Sequence, residues 1–266
     1  MTEREIRERL AAVRCFVLDM DGTIYLGESL FPWTKDFLQA AENAGREICF
    51  FTNNSSKNTA AYLGKLQRMG IHVPKEKMLI SNGVAADYMK RNHPGVRVFV
   101  LGTPLLREEL AEMGLDVVED APDAVLVGFD TTLEYGRLTK ACDFIRAGLP
   151  AYGLNPDFNC PVENGGFIPD CGSIAKLIEA STGRTLSFFG KPSPLTRAYI
   201  AKKTGFAESE LAVVGDRLYT DIALADDSGM TSILVLSGES KVEDIGTMPG
   251  KPDLIFRNLG EIIPYL

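Results

Sequence analysis

The chain has 266 residues, of which 45% are hydrophobic and 24% charged, a composition typical of globular proteins. This length is large for a single hydrophobic core and favours two domains. The formal net charge of −8 argues against a nucleic-acid partner, and no apolar run approaches the roughly 18 residues that a membrane span needs.

The N-terminal segment and the cysteines both indicate a cytoplasmic protein. Residues 2–14 are charged and lack the apolar core of a signal peptide. The cysteines number five, an odd count, and no two of them form a Cys-x-x-Cys pair. We therefore expect reduced thiols and a cytoplasmic location.

The first predicted strand, Cys15–Leu18, ends in two aspartates. This apolar run is too short for a helix and suits a strand buried on both faces, and Asp19, Asp21 and Gly22 follow it. Residues two apart on an extended chain project to the same side, so the two carboxylates would share one small volume. They repel each other unless a cation lies between them or one is protonated. The pair therefore predicts a divalent metal, a proton-transfer role, or both.

Strands and helices are predicted to alternate through the N-terminal third. The pattern is typical of a parallel sheet covered by helices on both faces. The expected elements are a helix over 2–13, the strand Cys15–Leu18, a loop over Ile24–Phe31, a helix from Pro32 to Gly45, a strand Glu47–Phe51 ending in Thr52-Asn53-Asn54, and a helix from Lys57 to Met69.

The same alternation returns near the C-terminus. Further strands are predicted at Ser187–Phe189, Leu211–Val214, Ser232–Leu236 and Asp253–Phe256. Gly190-Lys191-Pro192 follows the first of these, and Gly215-Asp216-Arg217 follows the second, with Asp221 five residues after Asp216. Ligands bind at the carboxyl ends of strands in open α/β sheets. We therefore expect convergence of Asp19, Asp21, Thr52, Lys191 and Asp216.

A region of its own separates the two halves. Its predicted strands are Arg97–Leu101, Ala124–Gly128 and Pro150–Leu154, and its helical patterns are Leu105–Met113, Leu133–Ala147 and Ser173–Ala180. This is too much structure for a loop. The predicted fold is therefore α/β, with a Rossmann-like parallel-sheet core from 1–81 and 184–266 and an inserted α/β cap domain from 82–183. An insertion with two connections suits a hinged lid over a site.

Phosphoryl transfer would require residues of these types. A carboxylate nucleophile divides hydrolysis into two easier steps through a covalent intermediate. Mg²⁺ held by oxygen ligands, such as those of Asp19 and Asp216, would neutralise charge on the phosphoryl group. Lys191 is a further positive charge for the same oxygens, and Thr52 offers a hydroxyl donor beside the amides of a helix start. Asp21 would protonate the leaving group and later deprotonate the attacking water.

Each motif alone also has a simpler interpretation. Asp-x-Asp-Gly could open a calcium loop, but Leu30 stands where that loop needs a glutamate. Thr52-Asn53-Asn54 suits a turn, Lys191 a solvated lysine and Gly215-Asp216 a helix N-cap. Their common order, each at the end of a predicted strand, favours a functional site.

Together these segments resemble the haloacid dehalogenase (HAD) superfamily. The four ordered motifs are Asp19-Met20-Asp21-Gly22-Thr23, Thr52, Gly190-Lys191-Pro192 and Gly215-Asp216-Arg217 with Asp221. Further segments are similar to the NagD-like branch, which includes 4-nitrophenylphosphatases, nucleotidases and phosphoglycolate phosphatases. These segments are Phe51–Ser55, Asn155-Pro156-Asp157, Gly190–Pro194 and Val214–Asp221.

The resemblance implies a role for each motif residue. Asp19 would be the nucleophile and Asp21 the acid/base. Mg²⁺ would be held by the side chains of Asp19 and Asp216 and the backbone carbonyl of Asp21, with Asp221 supporting the site directly or through water. The phosphate- and substrate-binding residues would be Thr52, Asn53, Asn54 and Lys191.

We therefore expect a Mg²⁺-dependent phosphomonoesterase acting on a small phosphorylated metabolite. The implied classes are 4-nitrophenyl phosphate, nucleoside monophosphates and phosphoglycolate; no nucleic-acid or membrane partner is expected, and a homodimer is left open. A phosphomutase or phosphotransferase would use the same residues but protect the aspartyl-phosphate from water. A non-catalytic phosphometabolite-binding protein is a further alternative, which the intact Asp19 and Asp21 disfavour.

Overall fold

The structure is a computed structural model that describes residues 1–162 and 166–266. It divides into two compact units. The first unit comprises Met1–Thr52, Leu63–Leu79 and Thr196–Leu266, and the second comprises Asn53–Tyr62 and Ile80–Leu195. The expected boundaries between catalytic core and cap, at 82 and 183, stay a prediction.

Strands and helices alternate through both units. The strands are β1 (Cys15–Leu18), β2 (Tyr25–Leu26), β3 (Ser29–Leu30), β4 (Glu47–Thr52), β5 (Met78–Ile80), β6 (Arg97–Leu101), β7 (Asp116–Val117), β8 (Ala124–Val127), β9 (Ala151–Gly153), β10 (Asn159–Pro161), β11 (Phe167–Pro169), β12 (Ser187–Phe188), β13 (Leu211–Gly215), β14 (Thr231–Val235) and β15 (Leu254–Phe256). The α-helices are α1 (Glu3–Ala11), α2 (Thr34–Asn43), α3 (Thr59–Arg68), α4 (Ser81–Asn92), α5 (Pro104–Glu112), α6 (Tyr135–Arg146), α7 (Cys171–Thr182) and α8 (Pro194–Thr204). In the described ranges, no helix is long and apolar enough to cross a membrane.

The sheet of the first unit has six strands in the order β15-β14-β13-β1-β4-β5. β1 runs parallel to both of its neighbours, and Leu18 is paired with Val214 on one side and Phe50 on the other. Every residue of β1 and β13 is buried, as expected for strands covered on both faces. Because these strands are parallel, the residues that follow β1 and β13 lie at the same, carboxyl-terminal edge of the sheet.

The second unit has a five-stranded sheet of its own, in the order β12-β9-β8-β6-β7. All four strand pairs in it are parallel. Its core includes Phe99 and Val125 from the strands, with Cys142 from α6 and Ile178 from α7. The α/β class with parallel sheets, predicted from the sequence, is confirmed.

Two local predictions are wrong. The expected loop over Ile24–Phe31 contains the antiparallel pair β2–β3, which is too short to show any alternation of apolar and polar residues. β12 was expected in the first sheet, but it pairs with β9 in the second. Gly153 has no side chain, and the ring of Phe188 lies in the space that a Cβ there would need. Lys191 therefore does not follow a strand of the sheet that carries Asp19 and Asp216.

Candidate active site

The turn after β1 is closed by the carbonyl of Met20. This oxygen accepts the N–H groups of Thr23 at 3.2 Å and Ile24 at 3.0 Å. Gly22 has φ +85°, a conformation that side chains rarely adopt, and its N–H donates to the carbonyl of Tyr25 at 2.8 Å. The turn thereby sets the direction in which the aspartates on either side of Met20 leave the strand.

Three carboxylates meet at this edge of the first unit. Oxygen atoms of Asp19, Asp216 and Asp221 all lie within 4.8 Å of one another. Asp216 is only 3% exposed and Asp221 only 1%. Like charges cannot share such a volume without a cation or a proton.

The two carboxylate oxygens of Asp216 have different surroundings. Its Oδ2 accepts the N–H of Glu239 at 2.7 Å. A Cβ at Gly22 or at Gly238 would collide with the same carboxylate. Its Oδ1 is buried and accepts no hydrogen bond from the described residues. A buried carboxylate oxygen without a donor suits a metal ligand.

Asp221 comes back toward the strand end through a short π-helical turn, Leu218–Ile222. Its Oδ2 accepts the N–H of Arg217 at 3.0 Å. Gly215 leaves room for it, because a Cβ there would meet the Asp221 carboxylate. π-helical turns are rare and are frequently found at functional sites.

The electrostatics of the cluster favour a bound cation. Burial, and after it the neighbouring Asp221 carboxylate, raise the pKa of Asp216 to about 7. A divalent cation would remove this penalty by stabilising the charged forms. Because all the side-chain donors are carboxylate oxygens, the residues present fit a hard ion such as Mg²⁺.

The side chain of Asp21 has different neighbours. The hydroxyl of Tyr25 donates to Asp21 Oδ2 at 3.4 Å, and the ammonium of Lys65 lies 3.7 Å from the centre of the Tyr25 ring. Lys65 is only 8% exposed. Tyr25 and Lys65 were not identified from the sequence, where neither has a motif around it.

The end of β4 and the segment after it carry the predicted phosphate-binding residues other than Lys191. Thr52 is the last residue of β4 and is buried. Asn54 Oδ1 accepts the N–H of Ser56 at 3.1 Å and its hydroxyl at 2.7 Å, which closes a tight turn. The turn chemistry expected of this segment is therefore present.

Asn53 and Lys191, 138 residues apart in the chain, are joined by two hydrogen bonds within the second unit. Asn53 Oδ1 accepts the backbone N–H of Lys191 at 2.8 Å, and Asn53 Nδ2 donates to the Lys191 carbonyl at 3.0 Å. Lys191 itself is only 2% exposed. The structure thus brings these two predicted residues together through the backbone of one of them.

The arrangement in the first unit defines a class of protein. An Asp-x-Asp turn after a central parallel strand, with a buried acidic pair after the adjacent strand, is the arrangement of a phosphatase of the HAD type. The sequence profile described as "Haloacid dehalogenase-like hydrolase" matches residues 16–116, and one described as HAD-hydrolase-like matches residues 188–262. The chain belongs to the haloacid dehalogenase-like hydrolases.

Individual similar proteins assign the chain to a narrower branch of this family. An acid sugar phosphatase of Staphylococcus aureus is 34% identical over 254 residues, which cover 95% of this chain and 98% of that protein. The crystal structure of a 4-nitrophenylphosphatase from Thermotoga maritima is 43% identical, with a TM-score of 0.91 and coverage of 96% and 98%. NagD from Escherichia coli K-12 is 30% identical, with a TM-score of 0.86 and coverage of 94% and 98%. The chain is a phosphatase of the NagD-like branch, as its motifs predict.

Proposed function

We propose that the protein is a Mg²⁺-dependent phosphomonoesterase that hydrolyses a small phosphorylated metabolite through an aspartyl-phosphate on Asp19. The observation that carries this proposal is the three-carboxylate cluster of Asp19, Asp216 and Asp221, with oxygens within 4.8 Å. Asp19 and Asp21 both follow the same strand. The cluster would therefore combine a metal site with the Asp19 nucleophile and the proton carrier Asp21.

The metal would be held by residues of the first unit. The side chains of Asp19 and Asp216 and the backbone carbonyl of Asp21 are the proposed ligands, and Asp221 supports them. Mg²⁺ bound there would neutralise charge on the phosphoryl oxygens. Asp216 Oδ1, which accepts no hydrogen bond within the described part of the chain, supports this assignment.

The chemistry then proceeds in two steps. A carboxylate oxygen of Asp19 attacks phosphorus, the bond from phosphorus to the ester oxygen breaks, and Asp21 gives its proton to the departing oxygen. In the second step Asp21 takes a proton from water. The resulting oxygen nucleophile displaces Asp19 from phosphorus, which releases inorganic phosphate and restores both carboxyl groups.

Four residues are proposed to bind the phosphate or the substrate. From their motifs we assign this role to the Thr52 hydroxyl, the Asn53–Asn54 segment and the Lys191 ammonium. The Asn53 carboxamide is bonded to the Lys191 backbone. We therefore assign the Asn53 side chain to holding Lys191.

The relatives support small phosphomonoesters as substrates. Their names refer to sugar phosphates and 4-nitrophenyl phosphate. The nucleoside monophosphate and phosphoglycolate classes implied by the motifs remain in the proposal. Cytoplasmic location is also proposed, supported by the buried free thiols of Cys15, Cys49, Cys142 and Cys171.

Phosphate release from 4-nitrophenyl phosphate tests this function. We expect turnover with Mg²⁺, its loss in EDTA and its recovery when Mg²⁺ is restored. Full activity after exhaustive EDTA treatment would refute the metal assignment. A phosphomutase would instead rearrange a sugar phosphate without releasing phosphate, and a binding protein would do neither.

A screen of phosphorylated metabolites then identifies the substrate, and light scattering gives the oligomeric state.

A further inference from the structure

A group of buried polar side chains in the second unit surrounds Asn53, and apart from Asn53 its members have no role in the proposed chemistry. All of its members are at least nine-tenths buried, although none lies in a helix or strand interior. They are Asn53, Ser55, Asn155, Asp157 and Asp170. Buried polar groups are costly unless they are hydrogen-bonded, so their arrangement is tightly specified.

Asp157 accepts one of the hydrogen bonds that favour a single orientation of the Asn53 carboxamide. Asn53 Nδ2 has two hydrogens, and it donates to Asp157 Oδ2 at 2.8 Å and to the Lys191 carbonyl at 3.0 Å. The reversed orientation would place the Asn53 oxygen against both of these acceptors and its N–H₂ group against the Lys191 N–H. The carboxylate of Asp157 therefore stabilises the single orientation in which Asn53 bonds both backbone groups of Lys191.

Asp157 is itself fixed by its neighbours on the second unit. Its Oδ2 also accepts Asn155 Nδ2 at 3.0 Å, and Asn155 Nδ2 donates in addition to Asp170 Oδ1 at 2.9 Å. Asp170 caps α7 through the N–H of Cys171. The backbone carbonyl of Asp157 accepts the N–H of Gly172 at 2.8 Å.

The backbone at Gly190 packs closely against the Asn53 side chain and the Leu154 carbonyl. A Cβ at Gly190 would lie 2.6 Å from Asn53 Oδ1 and 2.7 Å from the carbonyl oxygen of Leu154. The residue before Lys191 is thus pressed against the same carboxamide. Any rotation of Asn53 would change the position of both Gly190 and Lys191.

We propose that Asp157 is a positioning residue, which orients the Asn53 carboxamide and through it fixes the backbone from which the Lys191 ammonium extends. The kinetic part of this inference rests on the proposed function, since it assumes that Lys191 binds phosphate. A displacement of the order of 1 Å at a phosphate-binding group can cost about 100-fold in rate. Asp157 acts through Asn53 and Lys191, so its removal should weaken phosphate binding.

The test compares Asp157→Ala with the wild-type enzyme in the presence of Mg²⁺. We expect the inhibition constant for inorganic phosphate to rise about 10-fold or more, with a similar rise in KM, because the Lys191 backbone loses its anchor. Asp157→Asn retains an oxygen that can accept from Asn53 Nδ2, so it should recover most of the lost affinity.

A matched variant distinguishes a specific loss of phosphate affinity from a general loss of stability. Ile178→Ala removes a fully buried side chain of α7 that belongs to the apolar core of the same unit. It should lower the melting temperature at least as much as Asp157→Ala while leaving the phosphate inhibition constant within about twofold. A similar loss of phosphate affinity in Ile178→Ala would overturn the positioning role.

A second readout does not depend on catalysis. Amide hydrogen exchange at Lys191, whose N–H is bonded to Asn53 Oδ1, should become about 10-fold faster or more in Asp157→Ala. It should change little in Asp157→Asn. Should the wild-type protein release no phosphate from any ester, the proposed function fails while the exchange rates still decide the positioning role. Unchanged exchange at Lys191 in Asp157→Ala overturns it.

Discussion

Gly22 packs directly against the carboxylate of Asp216, so that a Cβ at position 22 would lie 2.7 Å from Asp216 Cγ. Gly22 also has φ +85°. Gly22→Ala should therefore strain the turn and push Asp216 out of the carboxylate cluster at once. We expect Mg²⁺ affinity, measured by calorimetry, to fall at least 10-fold, with a loss of stability above about 1 kcal/mol.

Gly45→Ala is the matched control for this variant. Gly45 has φ +69°, but a Cβ there would meet nothing within 4 Å. It carries the backbone strain without the collision, so its Mg²⁺ affinity should remain that of the wild type. Equal Mg²⁺ affinities in the two alanine variants would show that Gly22 does not protect the metal site.

The raised pKa of Asp216 predicts how metal-free stability depends on pH. The folded carboxyl has a pKa of about 7, against an ordinary value of 3.8. Between these values the folded state binds more protons than the unfolded state, so stability falls as pH rises from about 4 to about 7. In EDTA the melting temperature should decline over this range, and Asp216→Asn, which stays neutral, should reduce the decline. An identical pH profile for the wild type and Asp216→Asn in EDTA would contradict this assignment.

The convergence of Asp19 and Asp216 could be predicted from the sequence because its parts are local, while their binding of a metal stays a prediction. Asp19 follows a buried run of four residues, Asp216 follows a buried run of five, and parallel pairing of β1 with β13 brings the two strand ends together. The position of Lys191 was predicted less well, because β12 was expected in the first sheet and lies in the second. The two residues of β12 show no pattern that assigns them to either sheet, and the fit of Phe188 over Gly153 decides their position.

The contacts around the motifs could not be predicted for a similar reason. Asp157 lies 104 residues from Asn53, and nothing in either segment indicates the other. The Asn155-Pro156-Asp157 motif marked the branch of the family without indicating what the aspartate does. Long-range hydrogen bonds between loop residues leave no periodic trace in a sequence.

Tyr25 should assist the proton transfers assigned to Asp21. Its hydroxyl donates to Asp21 Oδ2 at 3.4 Å, which is long for a hydrogen bond. Tyr25→Phe should lower kcat about two- to fivefold through loss of this weak contact, while Mg²⁺ affinity is unchanged. Tyr265→Phe removes a hydroxyl outside this contact and serves as the control. A wild-type kcat in Tyr25→Phe would remove Tyr25 from the account.

Glu109 should stabilise the segment that follows β4. This carboxylate is 4% exposed, and it accepts the N–H of Thr59, the first residue of α3, and the Asn82 side-chain amide, each at 2.6 Å. Glu109→Ala would remove the acceptor of the buried Thr59 N–H and leave Asn82 Nδ2 with only its longer bond to the Lys57 carbonyl, at 3.3 Å. We expect a loss of about 2–4 kcal/mol in the free energy of unfolding, measured in urea.

Glu112, which is exposed on the same helix, provides the comparison. Glu112→Ala should change the free energy of unfolding by less than about 0.5 kcal/mol. Equal stabilities for the two alanine variants would mean that the Glu109 hydrogen bonds do not stabilise the loop.

The aspartyl-phosphate on Asp19 is the central claim, and the mass of the intact Asp21→Asn variant during reaction with 4-nitrophenyl phosphate and Mg²⁺ tests it most directly. 4-Nitrophenolate leaves without much protonation, so the first step should proceed. The second step should be slowed about 10²–10⁴-fold for lack of a base. We predict a burst of nitrophenolate and a mass increase of one phosphoryl group, both absent in Asp19→Asn. Wild-type turnover in Asp21→Asn, or the same mass increase in Asp19→Asn, would contradict the account.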